Sequence, residues 1–241
     1  MAKRYRRRAA RWARRAGERV RYGRAGLDGS QLDVTRARLR MRPDPVILEC
    51  GANTGTDTNR FLERWPTSRV WCFEPEPRAA ERWRATVTSD RARLFELAIA
   101  DRDGTTTFHR SSGQNPYDPT DTDPWDKSGS IRRPTGHRET WPWVQFEEEL
   151  TVVTRSLDSW SAEHEIGPVD LVWADVQGAE GDLVRGGHDT LARTRYLYTE
   201  FGSSEYYEGQ VSLDALLALL PGWDVVRRFP GDVLLVNPAA D

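Results

Sequence analysis

The 241-residue chain contains no run of eighteen apolar residues, which excludes an α-helical membrane span of ordinary length. Its first residues lack the apolar central region of an export leader, so the expected location is the cytoplasm. Cysteine is scarce: Cys50 and Cys72 each sit inside an apolar run, without CxxC spacing. That pattern argues against a disulfide framework or a thiolate metal site and fits reduced core residues. There are four histidines. His164 and His188 fall near helix ends and read as surface residues, whereas His109 and His137 border an irregular segment and are candidates for a base or a substrate contact.

Charge is nearly balanced overall, at −2, but is unevenly distributed. Residues 1–24 hold Lys3 and ten arginines against the single acid Glu18, a net of +10, and the remainder carries −12. Within this basic arm Tyr5, Ala9, Trp12, Ala13, Ala16 and Val20 recur at spacings of three and four, one apolar stripe on an arginine-covered helix. Such a helix suits anionic lipid, nucleic acid or an acidic partner. The reading favoured here is docking of the stripe on its own domain or on a second copy, as a homodimer. Gly23, Gly26 and Gly29 end the helix, and the connecting segment runs to residue 42.

Residues 43–241 read as one α/β domain. Strand 46–50, a glycine turn and a helix over 56–64 lead to strand 69–74 and a helix over 77–87 that opens with Pro77. Further strands are expected at 93–98, 105–108, 150–154, 169–174 and 196–199. Helices are expected at 157–165, 179–185 and 212–220, the last capped by Ser212. The segments 223–229 and 232–236 form a closing hairpin. This alternation predicts a Rossmann-like, doubly wound, mostly parallel seven-stranded sheet with an antiparallel C-terminal edge. Residues 110–148 break the pattern with five prolines and no periodicity, while Trp125, Trp141, Trp143 and Phe146 argue for order; this is an insert that recognises substrate or forms a lid.

In such sheets ligands bind where the strands end. Glu49, Gly51 and Ala52 follow the first strand, Glu74 and Pro75 the second, and Ala98 the third. Asp175 and Gln177 follow a later strand, and Glu200 the one after it. The turn Gly51-Ala52-Asn53-Thr54-Gly55 is not a dinucleotide fingerprint, because Asn53 stands where a second glycine is needed. It lacks Gly-Lys-Ser/Thr, so it is not a Walker loop. With no cation in the turn to balance phosphates, the cradle suits an amino-acid tail and a ribose. Glu74, 23 residues beyond Gly51, is placed to accept both ribose hydroxyls. S-adenosylmethionine has these parts, and its sulfonium is favoured by an acidic rim. Glu49, Gly51, Ala52, Asn53, Thr54, Gly55, Glu74, Pro75, Ala98, Asp175 and Gln177 are the expected cofactor contacts.

The motifs Leu48-Glu49-Cys50-Gly51-Ala52-Asn53-Thr54-Gly55, Phe73-Glu74-Pro75 and Ala98-Ile99-Ala100-Asp101-Arg102-Asp103-Gly104 occur together with Asp170-Leu171-Val172-Trp173-Ala174-Asp175-Val176-Gln177-Gly178-Ala179-Glu180. In this the sequence resembles the FkbM-type S-adenosylmethionine-dependent methyltransferases, from about residue 46 to 236. Tyr207-Glu208-Gly209-Gln210 is also similar to family members. Trp173-Ala174 departs from the usual Lys-Ile, which removes a charge beside the site. The resemblance implies the class I methyltransferase architecture and O-methylation of a small-molecule hydroxyl on a sugar, glycoside or polyketide. An alcohol needs its proton removed during transfer. Asp175 is the candidate base, with Glu200 and His137 as further catalytic candidates. Asp175 and Glu200, as oxygen ligands, could together hold Mg²⁺. Methylation of nucleic acid is the alternative, prompted by the arginine helix and by Asn115-Pro116-Tyr117, and is disfavoured by the acidic body. A nicotinamide oxidoreductase is disfavoured by Asn53, and a non-catalytic binding module by the presence of both Asp175 and Glu200.

Overall fold

The first strand, β1 (Val46–Cys50), lies at the centre of the sheet, where an apolar run with two covered faces belongs. The structure is a computed structural model that describes residues 41–116, 124–202 and 204–240. The expected basic helix at 1–24, its connection up to residue 40, and Tyr117 lie outside the described residues. Residues 41–114 and 123–241 form one compact unit.

After β1 come α1 (Thr56–Arg64), β2 (Arg69–Phe73), α2 (Pro77–Thr86), β3 (Ala92–Phe95), β4 (Ala98–Ala100) and β5 (Gly104–Ser112). Then follow α3 (His137–Thr140), β6 (Gln145–Ser156), α4 (Leu157–Glu163), β7 (Val169–Ala174), α5 (Glu180–Arg185), α6 (His188–Ala192) and β8 (Thr194–Glu200). The unit closes with α7 (Leu213–Ala218), β9 (Asp224–Arg228) and β10 (Asp232–Val236). Seven strands form one sheet in the order β3-β2-β1-β7-β8-β10-β9. The strands from β3 to β8 are parallel, and β10 is antiparallel to both β8 and β9. The chain winds outward from β1 to β3 and then returns to β7, so the strand order reverses between β1 and β7. A ligand crevice belongs at that switch point.

Local sequence accounts for the helices flanking this point. In α1 the buried residues are Thr58, Phe61 and Leu62, at the three- and four-residue spacing of a helix face laid on a sheet. Pro77 occupies the first turn of α2, and the Glu76 carboxylate caps it by accepting from Ala79 N at 3.0 Å. Ser212 caps α7 in the same way, accepting from Ala215 N at 3.3 Å. The larger core lies on one face of the sheet, where Leu48, Phe73, Val172 and Leu197 pack beneath Leu157, Trp160, Leu183 and Leu216. On the other face the Trp173 ring stacks on Tyr198 at 3.7 Å and meets Phe61 edge-on at 5.5 Å. The residue that departs from the usual lysine is therefore a buried packing element. Cys50 and Cys72 are both free and buried.

Several expectations need correction. The strand expected at 93–98 is two strands: β3 ends at Phe95, and Ala98 opens β4 in a different sheet. That second sheet has the order β4-β6-β5. The strands expected at 105–108 and 150–154 extend to nine and twelve residues. They pair antiparallel from Gly104↔Thr154 to Ser112↔Gln145, so both ends of the expected insert are ladder. Alternation of side chains marks strand but does not identify the pairing partner. The expected helix at 179–185 is followed by a separate helix, α6. His188 is exposed as expected, but His164 is half-buried against Trp160, with ring centroids 4.5 Å apart.

Candidate active site

The crevice is built on two adjoining strand ends. Cys50 and Ala174 pair across β1 and β7, and Asp175 N continues the ladder to Cys50 O at 2.9 Å. Gly51 turns away at φ 88°, and a Cβ placed there would lie 1.9 Å from the Asp175 carbonyl oxygen. Its N–H and that of Ala52 both donate to Phe73 O, at 2.9 and 3.0 Å. The turn is thus fastened to the ends of both neighbouring strands. It closes through Gly55 N to Ala52 O at 2.9 Å, with Asn53 in the left-handed region at φ 44°. Thr54 is half-buried, its hydroxyl 3.4 Å from that of Thr56.

Glu74 is the residue just past the end of β2, and its carboxylate turns into the crevice. It accepts from Asn53 N at 2.8 Å and from Glu76 N at 2.9 Å, across the half-buried Pro75. A carboxylate has about four lone-pair sites, so each oxygen retains capacity for a hydroxyl donor. Burial pushes the Glu74 carboxyl up to about 7. The two backbone donors oppose the rise, and the charges of Glu76 and Asp175 add to it.

Glu49 is not on the rim. As the penultimate residue of β1 its side chain stands perpendicular to the sheet, beneath α1. It is buried, accepts from Thr58 Oγ1 at 2.5 Å and Cys72 Sγ at 3.3 Å, and is raised by burial to about 8. Trp83 Nε1 completes this chain by donating to Thr58 Oγ1 at 3.0 Å. Ala98 is buried with Phe108 and Val152 and pairs with Thr154 in the small sheet.

Across the turn, exposed Asp175 is joined to Glu200, the last residue of β8, by one amide. Gln177 Nε2 donates to Asp175 Oδ1 at 2.5 Å and reaches Glu200 Oε2 at 3.4 Å. Its Oε1 lies 3.1 Å from the Tyr207 hydroxyl. Asp57, in the first turn of α1, belongs to the same rim: burial raises its carboxyl, Arg60 at 2.9 Å opposes the rise, and the Asp175 charge adds to it. Burial is the main cause that raises Glu180, Tyr198 and Tyr207, and the Asp175 charge adds a smaller rise to each, as it does at Glu74.

His137 is elsewhere. It is buried beside the rings of Trp141, Phe146 and Tyr207 at 4.5, 5.1 and 5.4 Å, and burial lowers it to about 4, so it is neutral at pH 7. The insert that carries it reaches the rim through the Ser130 hydroxyl and the Ser128 carbonyl. Ser130 Oγ donates to Gln177 O at 2.7 Å, and Tyr207 Oη lies 2.8 Å from Ser128 O. Arg132 pairs with the buried Asp182 of α5, and on the far side Arg110 Nε donates to Glu76 at 3.0 Å. The insert is thereby fastened to both flanks of the crevice. Sequence reasoning missed Asp57, Ser128 and Ser130. Asp57 was legible as a first-turn acid, whereas the serines lie in a stretch without any period.

The FkbM methyltransferase domain matches residues 49–228. The chain belongs to the FkbM methyltransferase family. Over 215 residues, 86% of each chain, it is 49% identical to the 2-O-methyltransferase NoeI of Sinorhizobium fredii. Among solved structures it is similar to a putative rRNA-methylase of Clostridium thermocellum, at 12% identity, 86% and 92% coverage of the two chains and a TM-score of 0.45. It is equally similar to a methyltransferase of Anabaena variabilis, at 12% identity, 86% and 83% coverage and a TM-score of 0.45. As a family member this chain is an enzyme that transfers a methyl group from S-adenosylmethionine. Among the described residues no helix is long and apolar enough to cross a membrane.

Proposed function

We propose that the enzyme methylates a hydroxyl of a sugar or glycoside, with Asp175 as the base that receives the hydroxyl proton. One observation carries this reading: Asp175 and Glu200 are joined by the Gln177 amide beside the glycine turn, where a methyl donor and an oxygen nucleophile would meet. NoeI, by name a 2-O-methyltransferase, supports an oxygen acceptor. Half-buried Trp125, Trp141 and Trp143 supply ring faces of the kind that stack on pyranose carbons. Bound S-adenosylmethionine supplies an electrophilic methyl on a sulfonium. Glu74 takes the ribose hydroxyls, and the turn from Gly51 to Gly55 with Asn53 takes the amino-acid tail. Asp175 would align the acceptor oxygen and take its proton as that oxygen bonds the methyl carbon and the carbon–sulfur bond breaks to leave the neutral thioether, and Glu200 would hold a neighbouring hydroxyl. His137, neutral and enclosed by aromatic rings, has no part in the proton transfer. Incubation with methyl-labelled S-adenosylmethionine and a panel of methyl pyranosides and macrolides tests the assignment. A pyranoside that gains one methyl group supports it; transfer to macrolides alone, or to RNA, overturns it.

The acidic rim of Asp57, Asp175 and Glu200 suits a cationic donor and disfavours a phosphate backbone. The same reading keeps the enzyme in the cytoplasm, on its two buried thiols, and pairs two copies through residues 1–24, on their apolar stripe. It does not include Mg²⁺. The group between Asp175 and Glu200 is an amide NH₂ donor, and no cluster of three His, Cys, Asp or Glu suited to a metal occurs among the described residues. Dialysis against EDTA is expected to leave methyl transfer unchanged; a loss restored by Mg²⁺ would refute this.

Glu74 makes cofactor binding pH-dependent. With the free carboxyl raised to about 7, ribose hydroxyls and a sulfonium stabilise the ionised form and lower its pKa on binding. Affinity for S-adenosylmethionine should therefore rise as pH increases through 7, with release of a fraction of a proton near neutrality. Calorimetry in buffers of different ionisation enthalpy checks this, and equal apparent enthalpies would sink it. Glu74→Ala should abolish the proton release and weaken binding by about tenfold or more, as expected for hydrogen bonds to a charged group.

A further inference from the structure

We infer that Tyr207 is a positioning residue for methyl transfer, acting through the Gln177 amide. The inference rests on the proposed role of Asp175 and adds the element that orients it. Gln177 and Gly178 are both left-handed, at φ 50° and 95°, a conformation a glutamine rarely adopts unless its surroundings impose it. Three contacts impose it. Ser130 Oγ donates to Gln177 O at 2.7 Å, Gly178 N donates to the buried Glu180 Oε1 at 3.1 Å, and the Tyr207 ring covers Gly178 so closely that a Cβ there would lie 2.6 Å from Tyr207 Cβ.

The side chain of Gln177 is oriented by Tyr207 alone among the described contacts of its Oε1. The Tyr207 hydroxyl has one proton and two acceptors in reach, Gln177 Oε1 at 3.1 Å and Ser128 O at 2.8 Å. When it donates to Oε1, the amide NH₂ is turned toward Asp175 and Glu200, where it meets both carboxylates. Without that donor Oε1 loses its described partner and the amide is held through Nε2 alone, so Asp175 is aligned less tightly. Tyr207 is itself rigidly seated. It is buried, its ring packs on His137, and its backbone pairs with Pro134 of the insert. The insert, through Pro134 and His137, thus seats Tyr207, and Tyr207 sets the base when its one proton goes to Gln177 Oε1 and not to Ser128 O. This gives the buried His137 a place as packing for Tyr207 rather than as a proton acceptor.

Tyr207→Phe removes one oxygen and leaves the ring. Against a methyl pyranoside accepted by the wild type, its kcat should fall about tenfold to a hundredfold, with KM changed less than threefold and the dissociation constant for S-adenosylhomocysteine within twofold. Because Tyr207 acts through Gln177, the double variant with Gln177→Met should be no slower than Gln177→Met alone; losses that multiply would overturn the proposal. Gln177→Met by itself keeps Tyr207 and should show the same kcat loss, so wild-type turnover there also overturns it. The side-chain amide resonance of Gln177, identified by its loss in Gln177→Met, needs no acceptor. It should shift in Tyr207→Phe, and an amide signal unchanged in Tyr207→Phe refutes the inference. Failure of the wild type on every pyranoside would count against the sugar assignment only, since the resonance still reports the Tyr207–Gln177 contact.

Discussion

Asp175→Ala is expected to lower kcat about a thousandfold while the dissociation constant for S-adenosylhomocysteine stays within about threefold. General-base catalysis contributes roughly 10²–10⁴ in rate, and a thousandfold corresponds to about 4 kcal/mol of transition-state stabilisation. The loss is placed above the bottom of the range because the variant also removes the group that holds the Gln177 Nε2 donor at 2.5 Å. Cofactor binding should be spared. Its main anchors are Glu74 and the turn, and these are fixed by Asn53 N, Glu76 N and the two bonds to Phe73 O, none of which involves the Asp175 side chain. Asp175→Asn separates shape from proton acceptance, since it keeps an oxygen for Gln177 and loses the base. It should be nearly as slow as the alanine variant. Single-turnover assays with labelled donor check both, and retention of more than a tenth of wild-type kcat in Asp175→Ala would show that another group takes the proton.

The second large effect is expected at Gly51. Gly51→Ala should abolish detectable cofactor binding and destabilise the fold by more than about 4 kcal/mol, the size reserved for a few named mechanisms. Two of these coincide here. At φ 88° an alanine is strained, typically by about 1–3 kcal/mol, and its Cβ would meet the Asp175 carbonyl oxygen at 1.9 Å. That oxygen is backbone at the end of a central strand, held by Asp175 N to Cys50 O, so it cannot swing aside as a side chain would. Relief requires β1 and β7 to part at the crevice. Thermal melting should fall by about 8 °C or more for a domain of this size, and S-adenosylhomocysteine should no longer raise it. Gly167→Ala is the control: nothing lies within 4 Å of a Cβ there, and its melting point should stay near that of the wild type. A Gly51→Ala protein that binds S-adenosylhomocysteine normally would show that the turn is not where the cofactor sits.

Much of this was legible in one dimension. The alternation of apolar strands with helices predicts a doubly wound sheet because buried parallel strands must be covered on both faces, and the order β3-β2-β1-β7-β8-β10-β9 has that form. Glycine punctuation located the turn at 51–55, Pro77 the start of α2 and Ser212 the cap of α7. These signals are local, since each depends on the backbone freedom or side-chain reach of a few adjacent residues. Glu49 and Glu74 show where local signals end. Both read as glutamates at strand ends, yet Glu49 is still inside the ladder and stands against Thr58, whereas Glu74 is one residue beyond it and turns into the crevice. Two positions relative to the end of pairing decide whether a buried carboxylate is sealed beneath α1 or faces the crevice.

By itself the sequence determined most of the elements, their winding and the glycine turn, and it offered Glu74, Asp175 and Glu200 as candidates at strand ends, because side-chain period and turn chemistry are written in neighbouring residues. Only the tertiary structure decided that Ala98 joins the small sheet, that His137 is enclosed by aromatic rings, and that Gly51 is glycine for the sake of the Asp175 backbone. It alone brought Ser128, Gln177 and Tyr207 together from three distant segments. A contact between residues that far apart depends on loop closure and packing across the fold, and no periodicity in the chain records it.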